Sequence, residues 1–235
     1  MRAALCFLVN YDNNLVKESI WKKWIEPNRD ILDVYIHYNK DIPLTSQWVQ
    51  KHAIPPSYIV KTSYYHVVPA YMSILHFAYK ERKDTTWFCL LTEACVPVIS
   101  PGAFRRLFYE NYTSSILAWR KAWWNVDLHK RANLRWFQEE LRLGHDPWFV
   151  LNRDDVSKCV GYTISNTKLY QLICNGGLAN ESLFAIVLYQ KKRLAQAINQ
   201  SSHITDWTKP SSATSPYVFS TGSVDEIGYI NEQLH

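Results

Sequence analysis

Short continuous apolar runs alternate along this 235-residue chain with segments whose apolar residues recur at helical intervals. The first pattern reads as a buried strand, the second as an amphipathic helix packing one face inward. Residues 3–9 are the first run and end in the polar turn 10–14. Leu15, Ile20, Trp21, Trp24 and Ile25 follow at roughly helical spacing as far as Pro27, and residues 31–38 give a second strand. A β-α-β unit is therefore expected within residues 3–38. Beyond Pro55 and Pro56, residues 58–60 are a candidate third strand, and residues 67–79 again carry apolar positions at helical intervals. Residues 87–91 form another apolar run, closed by the loop 92–97, and Pro101 opens a helix reaching Tyr109.

The second half is patterned less cleanly. Residues 115–127 hold Trp119, Trp123 and Trp124 beside Arg120 and Lys121, and a basic stretch containing Trp136, expected to be helical, runs on to Leu143. The aromatic part reads either as a helix with a packed aromatic face or as an acceptor-binding surface. Residues 148–151 read as a strand, 156–172 as mostly helix, and 182–198 as a long helix rich in Leu, Ile and Ala. After Ser201 the periodicity disappears among Ser, Thr and Pro. The expectation is one domain over residues 1–235, with roughly 201–235 an extended tail packed on it. Strands alternating with helices argue for an α/β fold, a mostly parallel sheet flanked by helices. Ligands of such folds bind beyond the carboxyl ends of the strands, which singles out residues 10–14, 37–40 and 93–95.

Composition narrows the function classes. Apolar residues make up 47% and charged residues 20%, a balance that excludes a disordered chain. Ten tryptophans and fifteen tyrosines are more than a core of this size needs, and flat amphipathic rings suit stacking on sugars or bases. The net charge of +5 is mild and scattered, so it fits an anionic small ligand as well as a nucleic acid; no nucleic-acid motif is present, and none is expected as partner. Neither GxGxxG nor GxxxxGKS occurs, which leaves dinucleotide-fold and phosphate-loop chemistry unsupported. The five cysteines form no CxxC pair and read as reduced, packed thiols rather than a metal set. No stretch approaches the ~18 apolar residues of a membrane span, and a first strand beginning at Ala3 leaves no room for a leader, so a cytoplasmic location is expected.

Six strings carry a family resemblance. Tyr35-Ile36-His37-Tyr38-Asn39-Lys40 looks like a strand end written IHVDKK, residues 62–70 like WGSxSLVxA, and residues 90–98 like LLSESCIPL or LSGSDFPL. Residues 145–153 are similar to GSQWFxLxR, residues 179–188 to PDESYFxTVL, and residues 204–216 to VDWSRGGxHP. Each string alone is weak; in this order they make the chain resemble the core-2/I-branching N-acetylglucosaminyltransferases with their xylosyltransferase and plant relatives. The resemblance implies a GT-A type fold and an inverting, metal-independent glycosyltransferase. Such an enzyme moves a sugar, GlcNAc or xylose foremost, from a UDP-sugar to a hydroxyl of a glycan or glycoprotein, with no cofactor.

Inversion is an in-line displacement in which one carboxylate takes the proton of the attacking hydroxyl. Glu181 stands at the family's base position, here in Asn-Glu, at a predicted helix start; its bland role is a first-turn Glu favouring the helix dipole. Asp146 is the rival, matching the acid of the xylosyltransferase GSDW, or else a turn residue before Pro147. On the donor side the resemblance points to Val9, Asn10, His37, Asn39, Glu93, Ala94 and Cys95. His37 and Asn39 are either uridine contacts or strand-end residues satisfied by loop backbone, and Asn39 replaces the family's Asp. Glu93-Ala94-Cys95 stands where other GT-A enzymes keep D-x-D, with one acid lost, so no metal is expected. Lys209, at the Arg of the plant WSR string, is the candidate for the leaving diphosphate, with Arg153 as an upstream helper; otherwise it is a solvated lysine. Trp119, Trp123 and Trp148 are the acceptor candidates. The competing class is a degenerate sugar- or nucleotide-binding module of the same fold.

Overall fold

The computed structural model describes residues 1–9, 12–63, 65–212 and 215–234. The first half runs β1 (Arg2–Leu8), α1 (Glu18–Ile25), β2 (Leu32–His37), α2 (Gln47–His52), α3 (Val68–Glu81), β3 (Thr85–Thr92) and α4 (Pro101–Asn111). The second runs β4 (Trp119–Lys121), β5 (Leu143–His145), β6 (Val150–Asn152), α5 (Arg153–Ser165), α6 (Thr167–Cys174), α7 (Leu183–Gln190) and α8 (Val224–Gln233). The main sheet has the order β2-β1-β3-β6; its first three strands are parallel and β6 is antiparallel to β3. A separate ribbon pairs β4 with β5 in antiparallel register.

The apolar runs are continuous because both faces of the sheet are covered. Along β1, Ala4, Cys6 and Leu8 point into a core shared with α3, α5 and α7, while Ala3, Leu5 and Phe7 point into a second core with α1, α2 and α4. Phe7, Trp21, Trp24 and Phe104 form an edge-to-face chain through that second core. The Trp21 and Trp24 indoles donate to the Cys95 and Ile99 carbonyls, 2.8 and 2.7 Å away, so α1 also fastens the loop that follows β3. Helix starts are set locally: Ser46, Ser100 and Asn152 accept amide hydrogens in the first turns of α2, α4 and α5.

Four expected elements turn out differently. Residues 58–60 are no strand: Pro56–Tyr58 is a tight turn, and the free edge of β2 is closed instead by Ala53 and Ile54, the latter donating to the Ile36 carbonyl at 2.9 Å. The basic stretch before Leu143 forms no α-helix but only the short 3-10 turns Leu134–Trp136 and Glu139–Leu141, after left-handed φ values of 49° at Ala132 and 53° at Asn133. The helix expected over 182–198 stops at Gln190, where Lys192 turns left-handed and Arg193 reaches the buried Asp155 at 2.7 Å. The tail is extended only in part and ends in α8, capped by Ser223.

Candidate active site

The parallel strands deliver their loops to one end of the sheet. Val9 is a core residue whose amide donates to the His37 carbonyl, so only its backbone borders the site. Asn10 lies outside the described residues. Asn13, buried and left-handed, clamps the next loop: its amide nitrogen donates to the Asn39 and Ile42 carbonyls, and its oxygen accepts the Asn39 amide at 2.8 Å. His37 is buried, and its Nε2 accepts the Val60 amide at 3.2 Å. Burial holds the imidazole down at about 4, hence neutral. That is the arrangement of a strand-end residue satisfied by loop backbone.

After β3, Glu93 donates its amide to Leu8 and accepts from Val16, which ties the β3 and β1 ends together. Its carboxyl is pushed up, first by burial and then by Asp12. Ala94 is exposed, and the Cys95 thiol is engaged by the amide and hydroxyl of Thr92 at 3.4 Å. The buried Tyr71 of α3 marks how near the candidate groups lie. Its phenol is raised first by burial and then by Cys95, Glu93 and Glu181 together. Trp148 joins this side: its indole donates to the Thr92 hydroxyl at 3.4 Å, and its ring stacks on His203 of the tail at 5.5 Å.

Glu181 is positioned by a close approach of two loops. A Cβ on Gly176 would stand 2.3 Å from the Asn133 nitrogen, so only glycine lets the loop 174–178 lie against residues 131–133. Ala132 then donates to the Gly177 carbonyl at 2.9 Å. Leu178, held left-handed at φ 54° with its amide on the Tyr65 carbonyl, turns the chain into the tight turn Ala179–Glu181 ahead of α7. A branched side chain in that region stores strain that its surroundings must enforce, a recurrent property of functional turns. Glu181 therefore sits just before a helix rather than in its first turn. Its carboxylate is 18% exposed and meets the Arg131 guanidinium at 3.3 Å. Burial raises its proton affinity most, Arg131 opposes that, and the neighbouring Asp146 adds to it.

Asp146 is half-buried beyond β5, with its amide on the Ala118 carbonyl at 3.0 Å and its own carbonyl contacting His145 Nδ1 at 2.7 Å. Burial holds the His145 ring at about 4, so it is neutral and Nδ1 is the donor. His145 Nε2, Asn180 Oδ1 and Ser182 Oγ are buried without a hydrogen-bond partner among the described residues. Arg131 also lies over the Trp124 ring, 5.3 Å from its centroid. Trp123 and Trp124 cover Gly144, where a Cβ would stand 2.6 Å from Trp123 and 3.0 Å from Trp124. Trp119 pairs with His145 across the ribbon and is half-buried, whereas Trp123 is 47% exposed.

The Core-2/I-Branching enzyme family model matches residues 5–228, nearly the whole chain. The chain belongs to the core-2/I-branching family. It is thus a glycosyltransferase, a class that takes a nucleotide-sugar donor and a glycan acceptor, and its sheet and helices are consistent with a GT-A-like fold. No curated protein matches the chain. Among the described residues no helix is long and apolar enough to cross a membrane.

Set in this family, the candidates divide. Glu181 and Asp146 come together; Glu93, Cys95 and Trp148 share the carboxyl end of β3 with them. Lys209 is exposed on the tail, near the carboxylate of Asp206. Arg153 is excluded as its helper: β6 runs antiparallel to β3, so Arg153 emerges at the amino end of β3, bound to the carbonyls of Tyr79, Arg82 and Thr85. Trp148 lies by the loop that follows β3. A cavity of about 920 Å³ also opens at the amino ends of β2 and β3, among residues such as Asp33, Trp48 and Arg82. It lies at the opposite end of the strands from the loops that carry the candidate residues, with Arg82 paired to Asp33 and Asp84. Asn13 falls in the singled-out turn 10–14, whereas Arg131 was missed as a site residue in the sequence. Arg131 belongs to a visible basic cluster, yet no local signal pairs it with a glutamate fifty residues on.

Proposed function

We propose that this glycosyltransferase moves a sugar from a UDP-sugar to a hydroxyl of a glycan or glycoprotein with inversion, without a divalent metal, and with Glu181 as the base. The observation carrying the reading is the Glu181 carboxylate itself: sunk, raised in proton affinity by burial, held by Arg131 and flanked by Asp146. A base is most effective when its proton affinity approaches the working pH, and this environment moves a carboxylate that way. The acceptor oxygen attacks the anomeric carbon, its proton passes to Glu181, and the bond to the diphosphate breaks on the opposite side. Asp146 orients the acceptor, and Lys209 supplies positive charge to the departing diphosphate.

A second reading, a nucleotide-binding module without turnover, is favoured by one observation. With Arg153 at the other end of β3, Lys209 is left without the helper assigned to it. Transfer from a panel of UDP-sugars to mixed glycan acceptors in EDTA separates the two. Inverted product in EDTA is the expected result. UDP binding without any turnover selects the second reading, and activity lost in EDTA but restored by Mn²⁺ refutes metal independence.

A further inference from the structure

A strip of alternating charged and aromatic side chains leads from Glu181 outward. Arg131 Nη1 is 3.3 Å from the Glu181 carboxylate, and its guanidinium carbon is 5.3 Å from the Trp124 centroid. The Trp124 and Trp123 rings meet edge to face at 4.8 Å, and the Arg120 guanidinium carbon lies 4.2 Å over Trp123. The β4–β5 ribbon sets this order. Arg120 is opposite Gly144 in the register, and Trp123 lies on the bare Gly144 backbone, so Arg120 and Trp123 share one face. Two residues further along the same strand direction comes Asp146, beside Glu181.

The charges along the strip are unequally committed. Arg131 faces Glu181, and Lys121, adjacent to Arg120 and so on the opposite face of β4, pairs with Glu139 at 2.6 Å. Arg120 is exposed and makes no ion pair among the described residues. An exposed indole stacked with an unpaired guanidinium offers an apolar plane and a forked donor together. A sugar ring bearing an anionic group matches both at once.

We propose that this strip is an acceptor subsite for an anionic glycan, whose carboxylate or sulfate binds Arg120 while its ring stacks on Trp123. The transferase reading above is needed only to call this ligand the acceptor. One unpaired cation at the outer end suits a single anionic group at a fixed distance from the reacting hydroxyl. A nucleic-acid strand instead calls for a row of unpaired cations tracking its phosphates, and the strip's inner arginine is already bound to a carboxylate.

The labelled full chain is applied to neutral, carboxylated and sulfated glycans built on shared cores, and to an oligouridylate, with the thermal shift by UDP measured in parallel. Anionic glycans bind at least about tenfold tighter than their neutral parents, and added salt weakens that preference. Arg120→Gln brings the preference close to parity and Arg120→Lys keeps most of it, both with unchanged melting temperature because Arg120 is exposed. The carboxylated and sulfated sets identify which group is read. A preference that survives Arg120→Gln, binding confined to neutral glycans or to the oligouridylate, or binding to no member overturns the subsite. Arg120-dependent anionic binding with no UDP shift keeps the subsite and sinks the UDP-sugar reading; a UDP shift without anionic preference does the reverse.

Discussion

Replacing Arg131 by methionine removes the cation facing Glu181 while keeping much of the stem that lies against Trp124. At 3.3 Å and an effective dielectric of about 20, the pair attracts by about 5 kcal/mol before solvent is counted. The two side chains are 29% and 18% exposed, so screening and lost side-chain freedom leave a net between surface and buried pairs, about 1–3 kcal/mol. That corresponds to roughly a five- to 150-fold change in a step that requires the ionised carboxylate. The direction follows from the three influences on Glu181. Burial raises its proton affinity, Arg131 lowers it and Asp146 raises it, so without Arg131 the carboxylate keeps its proton to higher pH. The acid limb of kcat/KM therefore moves to higher pH in Arg131→Met, activity recovers well above that limb, and Arg131→Lys stays near wild type. The assay is kcat/KM for transfer across the acid-to-neutral range. An unmoved limb, or equal impairment at every pH, would refute the pairing of Arg131 with the base.

Gly144→Ala places a methyl group 2.6 Å from Trp123, so the rings must shift; acceptor KM rises more than kcat falls, and stability drops by about 1–3 kcal/mol in denaturant titration. Asp155→Ala leaves Arg193 and the Ser115 hydroxyl without their shared acceptor in a buried network. A cost of about 3 kcal/mol is expected, read as a fall in Tm of roughly 6–12 °C. Burial alone would raise Glu226, but hydrogen bonds from the Tyr217 hydroxyl and the Gly222, Thr221 and Ser220 amides outweigh it and hold the carboxyl at about 2. A lowered carboxyl contributes stability that is present above its ordinary 4.5 and lost as pH falls toward 2. Protection factors for hydrogen exchange across residues 217–234, which correct for the intrinsic pH dependence of amide exchange, thus fall in that window for wild type, whereas in Glu226→Gln protection is low throughout, with no such step.

The strands of the main sheet were legible because burial on both faces leaves little room for polar residues, so 3–9, 31–38 and 87–91 survive as apolar runs. Where structure is specified by partners distant in sequence, the pattern misleads. Trp119, Trp123 and Trp124 fall at near-helical spacing, yet the chain there is a short ribbon decided by the bare Gly144 and by left-handed Ala132 and Asn133. Residues 58–60 are apolar because Ile59 is buried, but the preceding prolines and the bridge at Ala53 take them off the sheet. The helix α8 did carry a local signal, Ser223 three residues before Glu226, which is the spacing of a capping box. The surrounding Ser, Thr and Pro concealed it. At the site, the motif around Glu181 was readable, whereas its cation was not: Gly176 and the left-handed Leu178 bring Arg131 to it through backbone fit.

In the proposed reaction Glu181 takes the acceptor proton. Transfer by Glu181→Gln, measured beside wild type with the UDP thermal shift and Tm of both proteins, tests it most directly. If Glu181 is the base, the variant's rate is lower by about 10²–10⁴, with UDP binding and folding preserved because glutamine still accepts from Arg131. A Glu181→Gln enzyme that transfers sugar at close to the wild-type rate would contradict it.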